Sequence, residues 1–277
     1  MTDPRHAVAT ERGRYYTDPA GGPDLISVTN VTGTCVNKSF ALVPWGAGLV
    51  ADHVIAHPIE TARRARQEPT VLRRWLAGLP NRRRDTASNL GTRVHHRAHA
   101  IVIGAPFAAD PEVEPYARQL ARWFALWRVD FDRDVVAVET TVLHRRYGYA
   151  GTGDLWIWLP TGPGGARELW LIDYKTSATK PATVVYEDQP FQLAAYRHAE
   201  VALLPDDTDT PAPRPTRTGV LNLRPRSHRL MELPTGPAVF RAFLGALNTA
   251  KYLHSAPSDY SSILPPWAPG STHREAA

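Results

Sequence analysis

The sequence predicts an α/β protein whose N-terminal half is helical. Apolar residues recur at helical spacing before residue 130, and β-branched or aromatic runs separated by short turns follow Asp134. The chain has 277 residues, of which 43% are hydrophobic and 21% charged. These values are typical of a globular protein that buries a substantial core. We therefore expect one α/β domain in which a mixed β-sheet is flanked by helices.

The predicted domain spans residues 25–255. Residues 1–24 are polar and rich in Gly and Pro, which indicates an extended lead-in, and residues 256–277 form a loosely held tail. Within the domain, residues 25–130 are mainly helical, and residues 131–255 provide the sheet and its flanking helices.

The helical part contains four segments with three- and four-residue apolar spacing, and prolines punctuate it. Ser88 or Asn89 is a candidate N-cap for the third segment. The four segments cover residues 45–57, 57–79, 87–104 and 110–129.

The second part begins with three strand-like runs joined by short Gly-containing turns, which predict an antiparallel meander over residues 134–175. A helix, a polar loop, a pair of strands and a last helix are predicted to follow it. These elements cover residues 187–204, 205–217, 218–225 with 228–234, and 238–254.

Three carboxylates are predicted to lie in one row across the meander. If residues 162–165 form one hairpin bend, Asp154 lies opposite Asp173, and if residues 145–148 form the other, Glu139 lies opposite Asp154. Directly opposed like charges are destabilising, and a divalent cation such as Mg²⁺ would compensate them. A β-bulge would move a residue off the row, and the alternative is three solvated surface acids.

The stretch "WLIDYKTS" ends an apolar strand with Asp173 and Lys175, which share one face because side chains alternate along a strand. The pair is either a plain salt bridge or half of a site that cuts phosphodiesters, with the acid on a metal and the lysine facing the phosphate. The carbonyl of Tyr174, between them, is placed to be a further ligand.

Four short motifs occur in a specific order: "GTRVH" at 91–95, "GTGD" at 151–154, "DYK" at 173–175 and "QLAAY" at 192–196. Together they resemble the RecB-type branch of the PD-(D/E)xK nucleases. The resemblance implies a restriction-endonuclease-like core and metal-dependent cleavage of DNA.

The resemblance also implies roles for individual residues. Asp154 and Asp173 would bind Mg²⁺ or Mn²⁺ together with the Tyr174 carbonyl and His95. Lys175 would orient the attacking water or stabilise charge on the phosphate, whereas Gln192 and Tyr196, which share a helix face, would support the site and contact the DNA backbone. Glu139 is added as a ligand by the register argument.

Some members of this branch carry a four-cysteine iron–sulfur cluster, which Cys35, the only cysteine, cannot provide. The resemblance is therefore to cluster-free members such as phage recombination exonucleases. No G-x-x-x-x-G-K-[S/T] loop is present, so any unwinding requires a partner helicase. A single-strand annealing protein is a second expected partner.

A DNA-binding surface is indicated by the formal charge of +5 and by arginines that crowd residues 63–84. Arg82, Arg83 and Arg84 are the candidate phosphate contacts, and the alternative is an ordinary solvated helix face. No apolar run is expected to be long enough to span a bilayer, and the N-terminus lacks the apolar core of a signal peptide. We therefore expect a cytoplasmic protein of a bacterial cell or its phage, with no membrane partner.

The predicted function is a metal-dependent DNA exonuclease that acts in recombination or repair. Two alternatives remain at this point. One is a nuclease-like protein that only binds DNA ends or a partner helicase, and the other is a site-specific endonuclease, which would cut closed circular DNA.

Overall fold

The chain folds into a ten-stranded sheet with helices on both faces. A computed structural model describes residues 4–257, 259–263, 265 and 267. Most of the tail predicted for residues 256–277 therefore lies outside the described residues.

The lead-in predicted for residues 1–24 contains two strands over its described part. These are β1 (Ala7–Thr10) and β2 (Gly13–Tyr16), which pair as an antiparallel hairpin and are followed by β3 (Leu25–Ser27). Helix α1 (Val28–Cys35) starts directly after β3, where the Ser27 side chain accepts a hydrogen bond from the Asn30 backbone N–H. The N-terminal segment is thus extended and also part of the sheet.

The helical part predicted for residues 25–130 is present. Proline lies in the first turn of three consecutive helices, where its missing N–H costs no hydrogen bond. The expected cap at Ser88 or Asn89 is wrong, because both residues lie inside a helix that begins at Leu79. The helices are α2 (Ser39–Ala56), α3 (Pro58–Gln67), α4 (Pro69–Ala77), α5 (Leu79–Val102) and α6 (Glu114–Leu126).

Helix α2 corrects the expectation that no segment is long and apolar enough to cross a membrane. Its 18 residues have a mean hydropathy of 1.3, and none of them is buried. The apolar run in the sequence is interrupted by Pro44, Asp52 and His53. The mean hydropathy of the helix nevertheless stays in the range of a membrane-spanning helix. One such helix is weak evidence for a membrane.

The predicted antiparallel meander is confirmed. After the short helix α7 (Phe131–Asp134) come β4 (Val135–His144), β5 (Tyr149–Leu159) and β6 (Glu168–Thr176). Both predicted registers are confirmed by neighbouring pairs, since Leu155 lies opposite Val138 on β4 and opposite Ile172 on β6. Glu139, Asp154 and Asp173 therefore follow one another across three strands.

The helix predicted for residues 187–204 is too long. Helix α8 (Gln189–Arg197) ends early, and the apolar residues after it form β7 (Val201–Leu203), which pairs with β4. The predicted loop then contains a short strand, and the strand pair and last helix are confirmed. These elements are β8 (Asp209–Pro211), β9 (Arg217–Leu223), β10 (His228–Glu232) and α9 (Pro237–Ser255).

The sheet is mixed, because β3 pairs with β5 and β6 pairs with β9 in parallel while the other ladders are antiparallel. One edge of β5 pairs with β4. Its other edge is shared by β3, which pairs with Tyr149 and Ala150, and β6, which pairs from Leu155 onward. Residues 151–154 have no strand partner on that edge among the described residues. This gap is where the acidic row meets the helices.

Side chains alternate between two cores, as the period of a strand requires. Leu155, Ile157 and Ile172 pack under α5 and α6, whereas Trp156 and Leu171 pack under α1, α8 and α9. Helices α5 and α8 therefore approach the gap in β5 from opposite faces of the sheet.

Candidate metal centre

His95, Glu139 and Asp154 bring three ligand atoms together at the gap in β5. His95 comes from α5, Glu139 from β4 and Asp154 from β5, and their ligand atoms lie within 4.8 Å of one another. His95 Nδ1 is 3.3 Å from Asp154 Oδ1 and 3.8 Å from Glu139 Oε1. Two carboxylates and one imidazole form a donor set that suits Mn²⁺ or Mg²⁺, so the residues present fit a divalent cation.

The second nitrogen of His95 contacts the backbone of β6. His95 Nε2 lies 3.1 Å from the carbonyl oxygen of Tyr174, so this carbonyl holds the back of the ring while Nδ1 faces the acids. The backbone N–H of Tyr174 donates to Asp154 Oδ2 at 2.6 Å. Tyr174, predicted as a carbonyl ligand, thus orients two of the ligands, as outer partners commonly do at metal sites.

Glu139 lies on a distorted part of β4. Its φ is 46°, a left-handed conformation that glutamate rarely adopts, and the regular pairs of Val138 and Thr140 flank it. The distortion leaves the Glu139 side chain only 9% exposed and next to His95. Left-handed residues other than glycine are enriched at functional sites.

Asp173 is oriented away from the ligand group and toward Lys175. Asp173 Oδ2 lies 2.5 Å from Lys175 Nζ, and Asp173 Oδ1 accepts a hydrogen bond of 2.8 Å from Gln192 Nε2. Gln192 also accepts from Lys175 Nζ at 3.3 Å and lies 3.3 Å from the Tyr196 hydroxyl. The structure therefore brings all four of these predicted residues together.

Lys175 is more exposed to solvent than the acids of the site. Its side chain is 32% exposed, whereas those of Asp173 and Asp154 are 3% and 7% exposed. A substrate that approaches from solvent therefore meets the ammonium group before the carboxylates.

Two motif glycines make room for other parts of the site. A Cβ atom on Gly151 would lie 2.4 Å from the ring of Tyr196, which is closer than any real contact. A Cβ atom on Gly91 would lie 3.3 Å from Thr176 Oγ1, so this glycine lets α5 approach the end of β6. Close packing therefore explains why the first residue of "GTGD" and of "GTRVH" is glycine.

Charges at the site are strongly coupled. Burial disfavours the cationic form of His95, but Asp154 and Glu139 outweigh burial and raise the pKa of His95 to about 10. Burial favours neutral Asp154, but His95 and Lys175 outweigh it and lower the pKa of Asp154. Burial raises the pKa of Asp173 to about 6, with Lys175 opposing the rise and Asp154 adding to it. In the absence of a cation, the imidazolium neutralises the acids.

The three candidate DNA-binding arginines separate into two groups. The Arg82 guanidinium lies 4.7 Å over the Trp75 ring and donates to the Trp75 carbonyl oxygen at 2.7 Å, so it holds α4 against α5. Arg83 and Arg84 instead line a cleft of about 770 Å³. Two of the three candidates therefore share this cleft, and Arg82 contacts Trp75 instead.

Sequence reasoning missed two residues that support the site from β9 and its end. Arg224 is buried and donates hydrogen bonds to the carbonyl oxygens of Lys175 and Lys180. Asn222 donates to the carbonyls of Ala182 and Val184. They fix the loop that follows Lys175, and the only signal in the sequence is that Asn222 interrupts the apolar run of β9 and Arg224 directly follows it.

Comparison with known proteins adds no identification. No model of a protein family matches the chain, and no curated protein matches its sequence.

Proposed function

We propose that this chain is a metal-dependent deoxyribonuclease of the RecB-like PD-(D/E)xK type, with a restriction-endonuclease-like core. The observation that carries the proposal is the adjacency of two groups: the ligand set of His95, Glu139 and Asp154, and the solvent-facing Lys175 paired with Asp173. A plain salt bridge between Asp173 and Lys175 would not require a histidine and two further buried acids beside it.

Each residue of the site has a distinct proposed role in hydrolysis. His95, Glu139 and Asp154 would hold the cation, and His95 would release its Nδ1 proton to solvent when the cation binds, because imidazole ligands are neutral. Mg²⁺ or Mn²⁺ supplies polarisation of the scissile phosphate and activation of water at such a site.

Lys175 stabilises the negative charge that develops on the phosphate as water attacks in line, and Asp173 and Gln192 hold its ammonium group in place. Tyr196 supports Gln192 from the next turn of α8. Cys35 alone cannot build an iron–sulfur cluster.

The proposed biological role is exonucleolytic processing of DNA in recombination or repair, in the cytoplasm of a bacterial cell or in a phage-infected one. The expected partners are DNA and either a helicase or a single-strand annealing protein.

The decisive experiment follows cleavage of end-labelled linear DNA and closed circular DNA with Mg²⁺, Mn²⁺ or EDTA. We expect degradation of linear DNA with either metal and none with EDTA. Lys175→Ala should lower the cleavage rate at least a hundredfold and leave DNA binding within a few-fold, because one ammonium group contacts the reacting phosphate.

Lys251→Ala, which removes a lysine of α9 away from the site, is the matched control and should cleave normally. DNA binding without cleavage under every metal condition would identify a binding protein instead. Cutting of closed circles would identify an endonuclease, and Lys175→Ala with a tenth of the normal rate or more would remove the lysine from the mechanism.

A further inference from the structure

A deep cleft opens beside the candidate metal centre. It has a volume of about 770 Å³ and lies between the start of α2, the first half of α5 and the loop that follows β6. This volume is within the range of roughly 300–1,000 Å³ for pockets that enclose a small organic molecule. The cleft can therefore enclose a few unstacked nucleotides and is too small for a duplex.

Aromatic side chains form an exposed part of the cleft wall. Phe40 is 71% exposed, Trp45 is 41% exposed and Tyr186 is 50% exposed. Large aromatic residues with this exposure offer flat apolar surfaces to solvent. Unpaired bases stack on such surfaces, whereas the bases of a duplex are already stacked on one another.

The same cleft carries positive charge. Lys38 and Asp188 neutralise each other at 2.6 Å, and Arg84 forms an exposed ion pair with Asp85 at 3.4 Å. Arg83 and Lys180 are the other cations among the described residues that line the cleft. Glu187 is the remaining acid among the described lining residues. Cations next to aromatic rings match a strand that presents both phosphates and bases, and they do not match an uncharged apolar partner.

The cleft adjoins the end of β6 and the start of α8. Thr176, which lines it, directly follows Lys175, and Asp188, which also lines it, lies one helical turn before Gln192. A DNA strand in the cleft would therefore lie next to the end of β6 and the start of α8, the two segments that carry Lys175 and Gln192.

We propose that this cleft binds single-stranded DNA, with bases stacked on Phe40, Trp45 and Tyr186 and phosphates bound by Arg83, Arg84 and Lys180. This inference rests on the proposed nuclease function, because it names the form of DNA that the site receives. It also makes the helical segment at the start of α2 part of substrate recognition.

The test measures binding in EDTA, where cleavage does not occur. Fluorescence anisotropy of a labelled oligonucleotide is compared with that of its duplex for wild type and for Phe40→Ala/Trp45→Ala. The double variant should bind the single strand at least tenfold more weakly and the duplex within about twofold of wild type. Tyr252→Ala, which removes an aromatic residue of α9 that is 67% exposed, should bind like wild type.

A second pair of variants tests the cations. Arg83→Ala/Arg84→Ala should weaken single-strand binding and flatten its salt dependence, whereas Arg73→Ala, which removes an exposed arginine of α4, should not. Melting temperatures show that each variant is folded.

Unchanged single-strand binding by Phe40→Ala/Trp45→Ala, or an equal loss for the duplex, would overturn the inference. It would also fall if the double variant instead changed the oligomeric state or the binding of anionic phospholipid vesicles. The binding assay needs no metal, so the two proposals can fail separately. If wild type does not cleave DNA in any metal, the nuclease function is refuted while the cleft can still be tested by binding. If wild type cleaves DNA but Phe40→Ala/Trp45→Ala binds the single strand as wild type does, only the role of the cleft is refuted.

Discussion

Glu139 combines a backbone that is unfavourable for its side chain with a position beside His95. It is one of three residues other than glycine with a positive φ among those described, together with Arg128 and Asp207. Such a conformation costs of order 1–3 kcal/mol, and the surrounding structure must hold it in place. In β4 the regular pairs on both sides of Glu139 supply that restraint. The strained backbone thus places the Glu139 carboxylate beside His95 in the candidate centre.

The strain predicts that Glu139→Gly unfolds with a free energy about 1 kcal/mol higher than Glu139→Gln in the metal-free protein. Glycine adopts the left-handed conformation freely, and glutamine keeps the strain while losing the charge. Urea denaturation measures both values. Arg128 is a second left-handed position, with φ 51°, and serves as the control. Arg128→Gly should exceed Arg128→Gln in free energy of unfolding by a similar amount. If Glu139→Gln is instead more stable than Glu139→Gly, contacts of the side chain stabilise the fold by more than the backbone strain destabilises it.

Asp134 fixes the start of β4 with charge. It is buried, accepts a 2.6 Å hydrogen bond from Arg133 Nε, and also pairs with Arg167 in the segment before β6. The hydrogen bond from Arg133 outweighs burial and, with the Asp130 N–H and Arg167, holds the pKa of Asp134 well below its usual value of 3.8. The first strand of the meander is thereby tied to the third.

A carboxyl group whose pKa is lower in the folded state stabilises the fold above its unfolded pKa and loses this effect as the pH falls. Asp134→Asn should therefore lower the free energy of unfolding by about 1–3 kcal/mol at pH 7. The difference from wild type should shrink as the pH falls below 3.8. Chemical denaturation across pH tests this, with the exposed Asp85→Asn as a control that changes little. A difference that is independent of pH would mean that packing, rather than charge, explains the loss.

Arg224 holds the loop after β6 in place, as Asp134 holds the start of β4. Its guanidinium donates only to uncharged oxygens, including the carbonyls of Lys175, Lys180 and Pro181. Arginine can serve several carbonyls at once because its donors spread over a planar group, and the single ammonium of a lysine cannot reach them all.

Arg224→Lys is therefore expected to lower the free energy of unfolding by about 2–4 kcal/mol, since buried carbonyls lose their donors. Amide hydrogen exchange should accelerate over residues 177–188 more than in the strands. Arg226→Lys, two positions away and exposed, is the matched control. If amide hydrogen exchange over this loop is as slow in Arg224→Lys as in wild type, Asn222 alone is sufficient to hold the loop.

The elements also show which parts of the fold can be predicted from sequence. The acidic row was predictable because side-chain alternation and two short turns fix the register of β4, β5 and β6. The end of α8 was not, because the apolar run "VALL" fits either a helix or a buried strand until β4 is known to lie beside it.

Contacts between distant residues limited the prediction further. β1, β2 and β3 lie in a Gly- and Pro-rich segment that resembles a loop, and their stability comes from pairing with one another and with β5, more than 120 positions from β3 in sequence. The distances between His95 and the acids likewise depend on how α5 packs. The separation of Arg82 from Arg83 and Arg84 follows from the position of Trp75, which the local sequence does not specify.

At the scale of the whole molecule, the candidate centre should couple metal binding to stability. The ligand atoms meet only in the folded chain, so a divalent cation binds the folded state and stabilises it by mass action. At a concentration of 100 times its dissociation constant, Mn²⁺ would contribute about 2.7 kcal/mol. Metal binding therefore has a readout that does not require catalysis.

The melting temperature should rise with Mn²⁺ concentration by several degrees, and Asp154→Asn should abolish the rise. Asp206→Asn, which removes an exposed acid outside the centre, should keep the full rise. Differential scanning fluorimetry with and without EDTA makes the comparison. A melting temperature that Mn²⁺ leaves unchanged would mean that His95, Glu139 and Asp154 form a structural ion-pair cluster.

The packing of α9 against α1 and α8 has a consequence for the order of events during protein synthesis. The ribosome adds roughly 5–20 residues per second, so α8, which carries Gln192 and Tyr196, is complete seconds before α9 exists. Until then, Phe243 and Leu247 of α9 are missing from the core that they share with Leu193 of α8. A nascent chain thus carries all of the candidate site residues while the helix behind Lys175 lacks its support, and the proposed cleavage activity should arise only once α9 has been made.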